Sequence, residues 1–416
     1  MLNKKIVIIG GGPAGLMAAL RASELGAEVI VIEKNQSCGL KLLMTGGGRC
    51  NLTNNQDNQQ LAAAFGQNGR WLLSGLSRFN SEKTVEFFNN LGVETKVEDN
   101  NRVFPVSDSA KEVLDILVKK NLANGVQIIH SATVVDFEKE QQKITAVSLA
   151  DGRKITGDTF IIATGGQSYP ATGSTGDGLK WLKDFGHQII NLQPGLTPII
   201  LSSPLVAALE GISLPRVQLK VKADKKISSV VGPIIFTSKG ISGPAALNLS
   251  SLIVGNSLAK TISLDLLSEK TLEEIDGELA VNLVGKKTIK TVLIDFLAGV
   301  LPERGVVTIL KYLKIDSQRL ASSINRTERL VIVNFLKDWP LPIAGFGGYA
   351  EAMITLGGVD LKEVDPKTMK LKIIDNLYLA GEILDLAGPT GGYNLQVCWT
   401  TGYLAGEAAA ATYVLT

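Results

Sequence analysis

Three glycines, Gly10, Gly12 and Gly15, stand between an apolar, β-rich run at Lys5–Ile9 and an alanine-rich stretch from Pro13 to Ala19. The chemistry this spacing permits is anion binding by the main chain. Gly10 allows a tight turn, Gly12 lets backbone N–H groups approach a pyrophosphate with no Cβ in the way, and Gly15 lets the next helix lie close on the strand. The helix N-terminus adds roughly 0.3–1 kcal/mol of attraction for a negative group, or about 2 when partly buried. A second apolar run from Glu28 ends in Glu33, whose carboxylate is placed to accept hydrogen bonds from a ribose diol. Strand, glycine turn, helix, strand and acid in this order read as a dinucleotide-binding unit.

Other loops carry the same kind of backbone. Thr45-Gly-Gly-Gly-Arg49-Cys50-Asn51 suits neither helix nor strand interior, so it is expected to wrap a ligand closely; the competing reading is a flexible surface loop. A flavin ring is the ligand it fits, because its N1–C2=O edge gains negative charge on reduction and needs N–H donors or a guanidinium such as Arg49. Ala163-Thr-Gly165 ends another apolar strand, and the Gly/Ser/Thr-rich loop from Ser168 to Gly178 follows it. Near the C-terminus, Asn376–Ala380 leads into Gly381-Glu382, and Gly388–Leu395 opens a helix of small residues. For proton transfer the candidates are Cys50, Tyr169 and Tyr393, each more readily read as a packing or cofactor-contact residue.

The elements that must position these groups alternate between strand and helix. Residues 57 to 92 read as helical with Ser81 as a cap, and another helix runs from about Ser109 to Leu122. Strand-like runs from Val126 to Thr164 suggest a small antiparallel meander before the chain returns to the main sheet. Residues 197 to 265 offer short β-runs expected to form a small barrel or sandwich, and 268 to 338 are helix-patterned. No second G-x-G-x-x-G follows a strand there. The domain reading is therefore 1–191 with 342–416 as one discontinuous domain, 192–267 as an inserted barrel-like subdomain and 268–341 as an inserted helical one.

The 416 residues carry 42 Lys and Arg against 40 Asp and Glu, and basic pairs such as Lys225-Lys226 are scattered, which argues against nucleic acid as the main partner. Cys38, Cys50 and Cys398 form no CxxC pair and suit a reducing cytoplasm, and two histidines give little support to zinc sites or histidine triads; no metal is expected. Lys4 and Lys5 before an apolar run imitate a secretory signal, but Gly10–Pro13 interrupts it and Arg21 and Glu24 follow, so the segment reads as mature structure. No apolar run approaches the ~20 residues of a membrane span.

Taken together, Gly10–Gly15, Thr45–Asn51, Arg102-Val-Phe-Pro105, Ala163–Gly166, Gly240-Ile-Ser-Gly-Pro244, Asp365–Met369 and Gly391–Leu395 make the sequence resemble the bacterial NAD(P)/FAD-dependent oxidoreductases known as aminoacetone-oxidase-like flavoproteins, a family that includes a bile-acid dehydro-steroid reductase. The resemblance implies an α/β fold: a Rossmann-like FAD-binding domain of the two-dinucleotide-binding type with an inserted β-barrel plus helical subdomain. It also implies FAD on the N-terminal fingerprint. Gly12, Pro13 and Ala14 would hold the pyrophosphate on a turn shaped by Gly10 and Gly15, Glu33 the adenosine ribose, Lys41 a phosphate or ring edge, and Val134 the adenine through its backbone, with Lys34 also among the cofactor-binding residues. Ala163, Thr164, Gly165, Gly381 and Glu382 would face the ribityl or pyrophosphate. Gly46, Gly47, Gly48, Arg49, Cys50, Asn51, Gly392, Asn394 and Leu395 would border the isoalloxazine. The sequence departs from the family at Ser238, where His is usual, and at Lys370-Leu371, where Glu-Ser is usual.

Three functions follow from this reading. One is an NAD(P)H-dependent reductase of a small activated C=C or carbonyl substrate, with NADH or NADPH as a transient electron donor and hydride passing through flavin N5. The others are an FAD-dependent oxidase of a small amine and a non-catalytic FAD-dependent interaction protein.

Overall fold

Apolar, largely β-branched runs form a parallel sheet that is buried on both faces, as continuous hydrophobic strands require. In the computed structural model, which describes residues 4–223 and 226–411, its order is Leu377–Leu379, Thr159–Ile162, Lys5–Ile9, Glu28–Ile32 and Gln127–Ile129. Every neighbouring pair is parallel, with Ile8 opposite both Ile161 and Val31. Ile161, Ile162, Ile8 and Val31 have no exposed surface.

The helix Pro13–Glu24 begins with proline at its first position, where the missing N–H costs nothing, and buries its Ala and Leu face on this sheet. Against it lies the long helix Tyr393–Ala410, with Gly402 over the carbonyl of Ala14 and Gly406 over that of Ala18. Besides a two-stranded pairing of Ile189–Gly195 with Ile354–Val359, two three-stranded antiparallel sheets accompany the main sheet. One joins Thr53–Asn54, Arg102–Pro105 and Thr95–Glu98, and the other Val134–Glu140, Lys143–Leu149 and Lys154–Thr156.

Two local expectations change. The run Val126–His130 is not part of the meander: Gln127–Ile129 is an edge strand of the main sheet, because the preceding helix, Ala110–Ala123, supplies the crossover a parallel neighbour needs. The stretch 57–92 is broken into Asn58–Ala63, Gly69–Leu76 and Ser81–Asn90. Asn80 rather than Ser81 caps the last of these, accepting the N–H of Lys83, while Ser81 bonds the carbonyl of Gln56.

The chain divides into two compact units, one built from residues up to Gln193 and from Met353 onward, the other Pro194–Ala352. The second unit contains a closed antiparallel barrel in the order Ile199–Leu201, Gly240–Ser242, Lys226–Phe236, Ser213–Ala223, Thr261–Asp265 and Trp339–Phe346. Closure removes the open strand edges a small sheet would expose. Its last strand follows the helical stretch, so the barrel does not end with residue 267. The helices Leu272–Asn282, Ile289–Phe296, Glu303–Tyr312 and Arg326–Lys337 share one hydrophobic core with it, in which Trp339 stacks on Phe236 at 5.7 Å. Lys225 lies outside the described residues. Among the described residues no helix is long and apolar enough to cross a membrane.

Candidate active site

Gly12 caps the helix Pro13–Glu24 in extended conformation, no side chain caps it, and the first turn carries no acid. A Cβ built on Gly12 would meet nothing within 4 Å, whereas one on Gly10 would stand 2.5 Å from the Ala163 carbonyl and one on Gly15 would run into that of Gly10. Gly10 and Gly15 are thus spaces filled by neighbouring backbone, and Gly12 faces open space at a helix N-terminus. Such a cradle fits a pyrophosphate. Pro13 has no N–H, so the donors of this turn are those that follow it, beginning with Ala14.

At the end of the second strand the Glu33 side chain is buried, with Oε2 accepting the N–H of Gly11 and Oε1 accepting the backbone and side-chain N–H groups of Asn35, all at 2.8 Å. A carboxylate has about four lone-pair sites, so one remains for a ribose hydroxyl. Burial, and then the charge of Glu33, push the thiol of neighbouring Cys38 up to about 12. Ser131 and Ala132 donate N–H groups to the carbonyls of Asn35 and Glu33, which brings the start of the Val134 strand beside them; the Val134 side chain itself is buried. Lys34 turns elsewhere. Its Nζ bonds Thr175 Oγ1 at 2.5 Å and Asp177 Oδ2 at 2.8 Å, and Asn35 Nδ2 reaches the Thr172 carbonyl, so the two residues strap the 172–177 loop in place.

The next cluster joins segments far apart in the chain. Lys41 Nζ lies 2.6 Å from Glu382 Oε2 and 2.5 Å from Ser168 Oγ, while Glu382 Oε1 accepts Ser168 Oγ and the Thr355 N–H, both at 2.8 Å. A Cβ on Gly381 would stand 2.8 Å from that of Ala14, which sets this ion pair against the Gly12 cradle. Ala163 is buried, Gly165 packs beside Ser174, and the Thr164 hydroxyl is enclosed. Cys398, next to Gly381, has its thiol pushed up to about 12 by burial and by Glu382. Ser168 and Thr355 were not among the expected site residues. The only signal in the sequence was the hydroxyl-rich loop that contains Ser168.

In the glycine loop, Gly46 and Gly47 adopt left-handed φ of 58° and 68°, Gly46 to Gly48 are exposed, and nothing lies within 4 Å of a Cβ on Gly47. Arg49 does not share that exposure to a ligand: it pairs with Glu98 at 2.7 Å and Asp108 at 3.3 Å and lies 4.0 Å over the Phe104 ring. With two carboxylates on the guanidinium, what this loop exposes is its glycine backbone. Cys50, at φ 62°, has no exposed surface, and burial, partly offset by a bond with Thr45, pushes its thiol up to about 12. A neutral, enclosed thiol of this kind is a poor proton donor.

Asn51 ties this loop to the C-terminal turn, its amide donating to the carbonyls of Thr53 and Val103 and accepting the Gly392 N–H. Gly392 caps the helix Tyr393–Ala410 at φ 98°, and a Cβ there would run into the Thr53 carbonyl. The Asn394 amide staples its own turn, accepting the Gly388 N–H and donating to the carbonyls of Gly388 and Pro389, while the Leu395 side chain enters the core beside Cys50 and Trp399. Their side chains therefore shape the turn rather than face a ligand. Tyr393 is half-buried, edge-on to Phe65, and its hydroxyl donates to Gln56 Oε1 at 3.0 Å. Tyr169, at φ 51°, heads the turn Pro170–Thr172, and its carbonyl accepts the Thr172 N–H.

The two glycine-capped helices run in the same direction, because Ala14 meets Gly402 and Ala18 meets Gly406. Tyr393 precedes Gly402 by about two and a half turns, so the second helix begins roughly 13 Å beyond the level of Ala14. The open anion cradle at Gly12 is thus followed, further along, by a second helix N-terminus whose glycine is packed against the Thr53 carbonyl.

A model of the HI0933-like protein Rossmann domain matches residues 4–408. A 3-dehydro-bile acid delta(4,6)-reductase of Clostridium scindens is 31% identical over 416 residues, covering 98% of this chain and 99% of its own. A ribosomal RNA dihydrouridine synthase of Escherichia coli K12 is 30% identical over 405 residues, covering 95% and 96%. Among solved structures, the 3-ketosteroid-delta4-(5alpha)-dehydrogenase of Rhodococcus jostii RHA1 in complex with 4-androstene-3,17-dione aligns with a TM-score of 0.52 at 13% identity, over 99% of this chain and 98% of that one, a likeness of fold.

Proposed function

Because this chain belongs to the HI0933-like Rossmann family, we propose that it reduces a C=C bond conjugated to a carbonyl in a small molecule, taking its electrons from NADH or NADPH. It is an FAD-binding oxidoreductase. Bound FAD supplies hydride chemistry at flavin N5. The observation that carries the assignment of the site is the uncapped helix N-terminus at Gly12, whose missing side chain faces open space. A pyrophosphate has use for both the space and the N–H donors that follow it.

In this reading the Gly12 turn, with Pro13 and Ala14, holds the pyrophosphate and Glu33 accepts a ribose hydroxyl. The Lys41–Glu382 pair flanks the chain between pyrophosphate and ring. The exposed backbone of Gly46 to Gly48 would border the ring's electron-rich edge. Reduction is favoured over amine oxidation by the names of the two relatives: a delta(4,6)-reductase acting on a dehydro bile acid and a synthase of dihydrouridine both describe saturation of a ring C=C. The near balance of 42 basic and 40 acidic residues favours a small molecule over RNA. Three free cysteines, two of them buried, accord with a cytoplasmic protein.

The test is anaerobic titration of the purified flavoprotein. NADH or NADPH should bleach the flavin, and 4-androstene-3,17-dione should restore its colour. Bleaching by an amine with no response to pyridine nucleotides supports an oxidase instead. Restoration by ribosomal RNA but not by the enone moves the substrate to RNA, and bound flavin with neither reaction leaves an interaction protein.

A further inference from the structure

Saturating a conjugated C=C takes a hydride at the β-carbon and a proton at the α-carbon, so the site must hold a neutral acid that can lose its proton and regain it. Cys50 has no exposed surface, and the Cys398 thiol lies against Gly381, where a Cβ would be 3.6 Å from its sulfur. Lys41 is committed to Glu382 and Ser168. Tyr393 is only half-buried, and burial raises its phenol as well, so it too is a neutral acid. It stands on the first turn of the helix that begins roughly 13 Å past the level of Ala14. Its ring lies over Gly391, where an added Cβ would be 3.2 Å from Cε2, and Phe65 fixes it edge-on.

Resting on the reading above, we infer that Tyr393 delivers the α-carbon proton and that Gln56 is its positioning residue, with the amide acting as a two-way partner for the phenol. The hydroxyl now donates to Gln56 Oε1 at 3.0 Å. A half-turn of that amide presents Nε2–H to the phenolic oxygen, which releases the O–H toward the site and stabilises the phenolate once the proton has gone. The backbone beneath it is fixed: Gln56 donates its N–H to the Asn54 carbonyl and accepts Ser81 Oγ, and Asn54 Nδ2 donates to the Gly391 carbonyl. The step balances. The β-carbon gains a hydride, and with it two electrons, from reduced FAD. The phenolic O–H bond breaks as the α-carbon C–H bond forms, and the phenolate then takes a proton from water.

Three variants test this in the full-length holoprotein: Tyr393→Phe, Gln56→Glu and Gln56→Leu. Pre-reduced protein is mixed anaerobically with 4-androstene-3,17-dione and flavin reoxidation is followed. Separately, ultraviolet titration of each protein against Tyr393→Phe reads ionisation of the phenol without turnover. Tyr393→Phe should slow reoxidation on the order of 100-fold with FAD content and NAD(P)H bleaching unchanged. Gln56→Glu keeps the shape and the acceptor but has no N–H to offer and sets a negative charge beside the phenol. It should slow reoxidation more than Gln56→Leu and move phenol ionisation to higher pH. A purely structural bond predicts the reverse order, with the isosteric Glu mild and Leu worse; that order, or unchanged Tyr393→Phe, overturns the inference alone. Failure of the wild type to be reoxidised by the enone removes the reductase reading and this inference with it.

Discussion

Gly12 is the residue on which the cofactor site turns, since its missing side chain is the space a pyrophosphate needs. Replacing it with Val puts methyl groups where nothing now stands within 4 Å, so the fold should survive while FAD is lost. Absorbance of the purified variant in the flavin region checks this, and full FAD content would remove the assignment. The three cysteines make a second residue-scale prediction. Cys38, Cys50 and Cys398 lose their protons near 9.0 in an unfolded chain and near about 12 in the folded one, chiefly because burial disfavours the thiolate. The folded state then binds more protons between those values, so stability falls as pH rises through that window, by up to about 1.4 kcal/mol per pH unit for each thiol. Urea midpoints should hold steady below it and drop within it, and native thiols should resist alkylation at neutral pH.

Among elements, the contact between the helices Pro13–Glu24 and Tyr393–Ala410 sets the level of one helix N-terminus against the other. It depends on Gly402 and Gly406, whose missing Cβ atoms admit the carbonyls of Ala14 and Ala18. Gly402→Leu should cost about 1–3 kcal/mol through overpacking and weaken FAD retention as well, because Ala14 belongs to the cradle. The measurement is the urea midpoint together with the flavin released on dilution. The strap from Lys34 and Asn35 to the 172–177 loop is a different kind of contact. Lys34 and Asp177 are 27% and 40% exposed, so breaking that pair should change global stability by less than about 1 kcal/mol.

At the scale of the whole molecule, the unit that carries the site is assembled from both ends of the chain. Its sheet needs Leu377–Leu379 beside Thr159–Ile162, and the site needs Glu382, Gly392 and the last helix. A chain ended at Ala352 lacks all of these and should retain no flavin after gel filtration. The alternation of apolar runs, glycine corners and helices made this architecture legible. Less legible was the barrel's closure, because Trp339–Phe346 is separated from its strand neighbours by the helical stretch and nothing in its own pattern names them.

By itself the sequence determined the main-chain features: the turn from Gly10 to Gly15, the strand ending in Glu33, the glycine loop at 46–48 and the glycine-led C-terminal helix. These are local, since a missing Cβ or an apolar run acts within a few residues of itself. Only the tertiary structure decided where the long polar side chains went. Lys34 finds Asp177, Lys41 finds Glu382, Arg49 finds Glu98, and Tyr393 finds Gln56. Flexible side chains settle on whichever partner the fold brings within about 3 Å, and a partner tens or hundreds of residues away leaves no trace in local spacing.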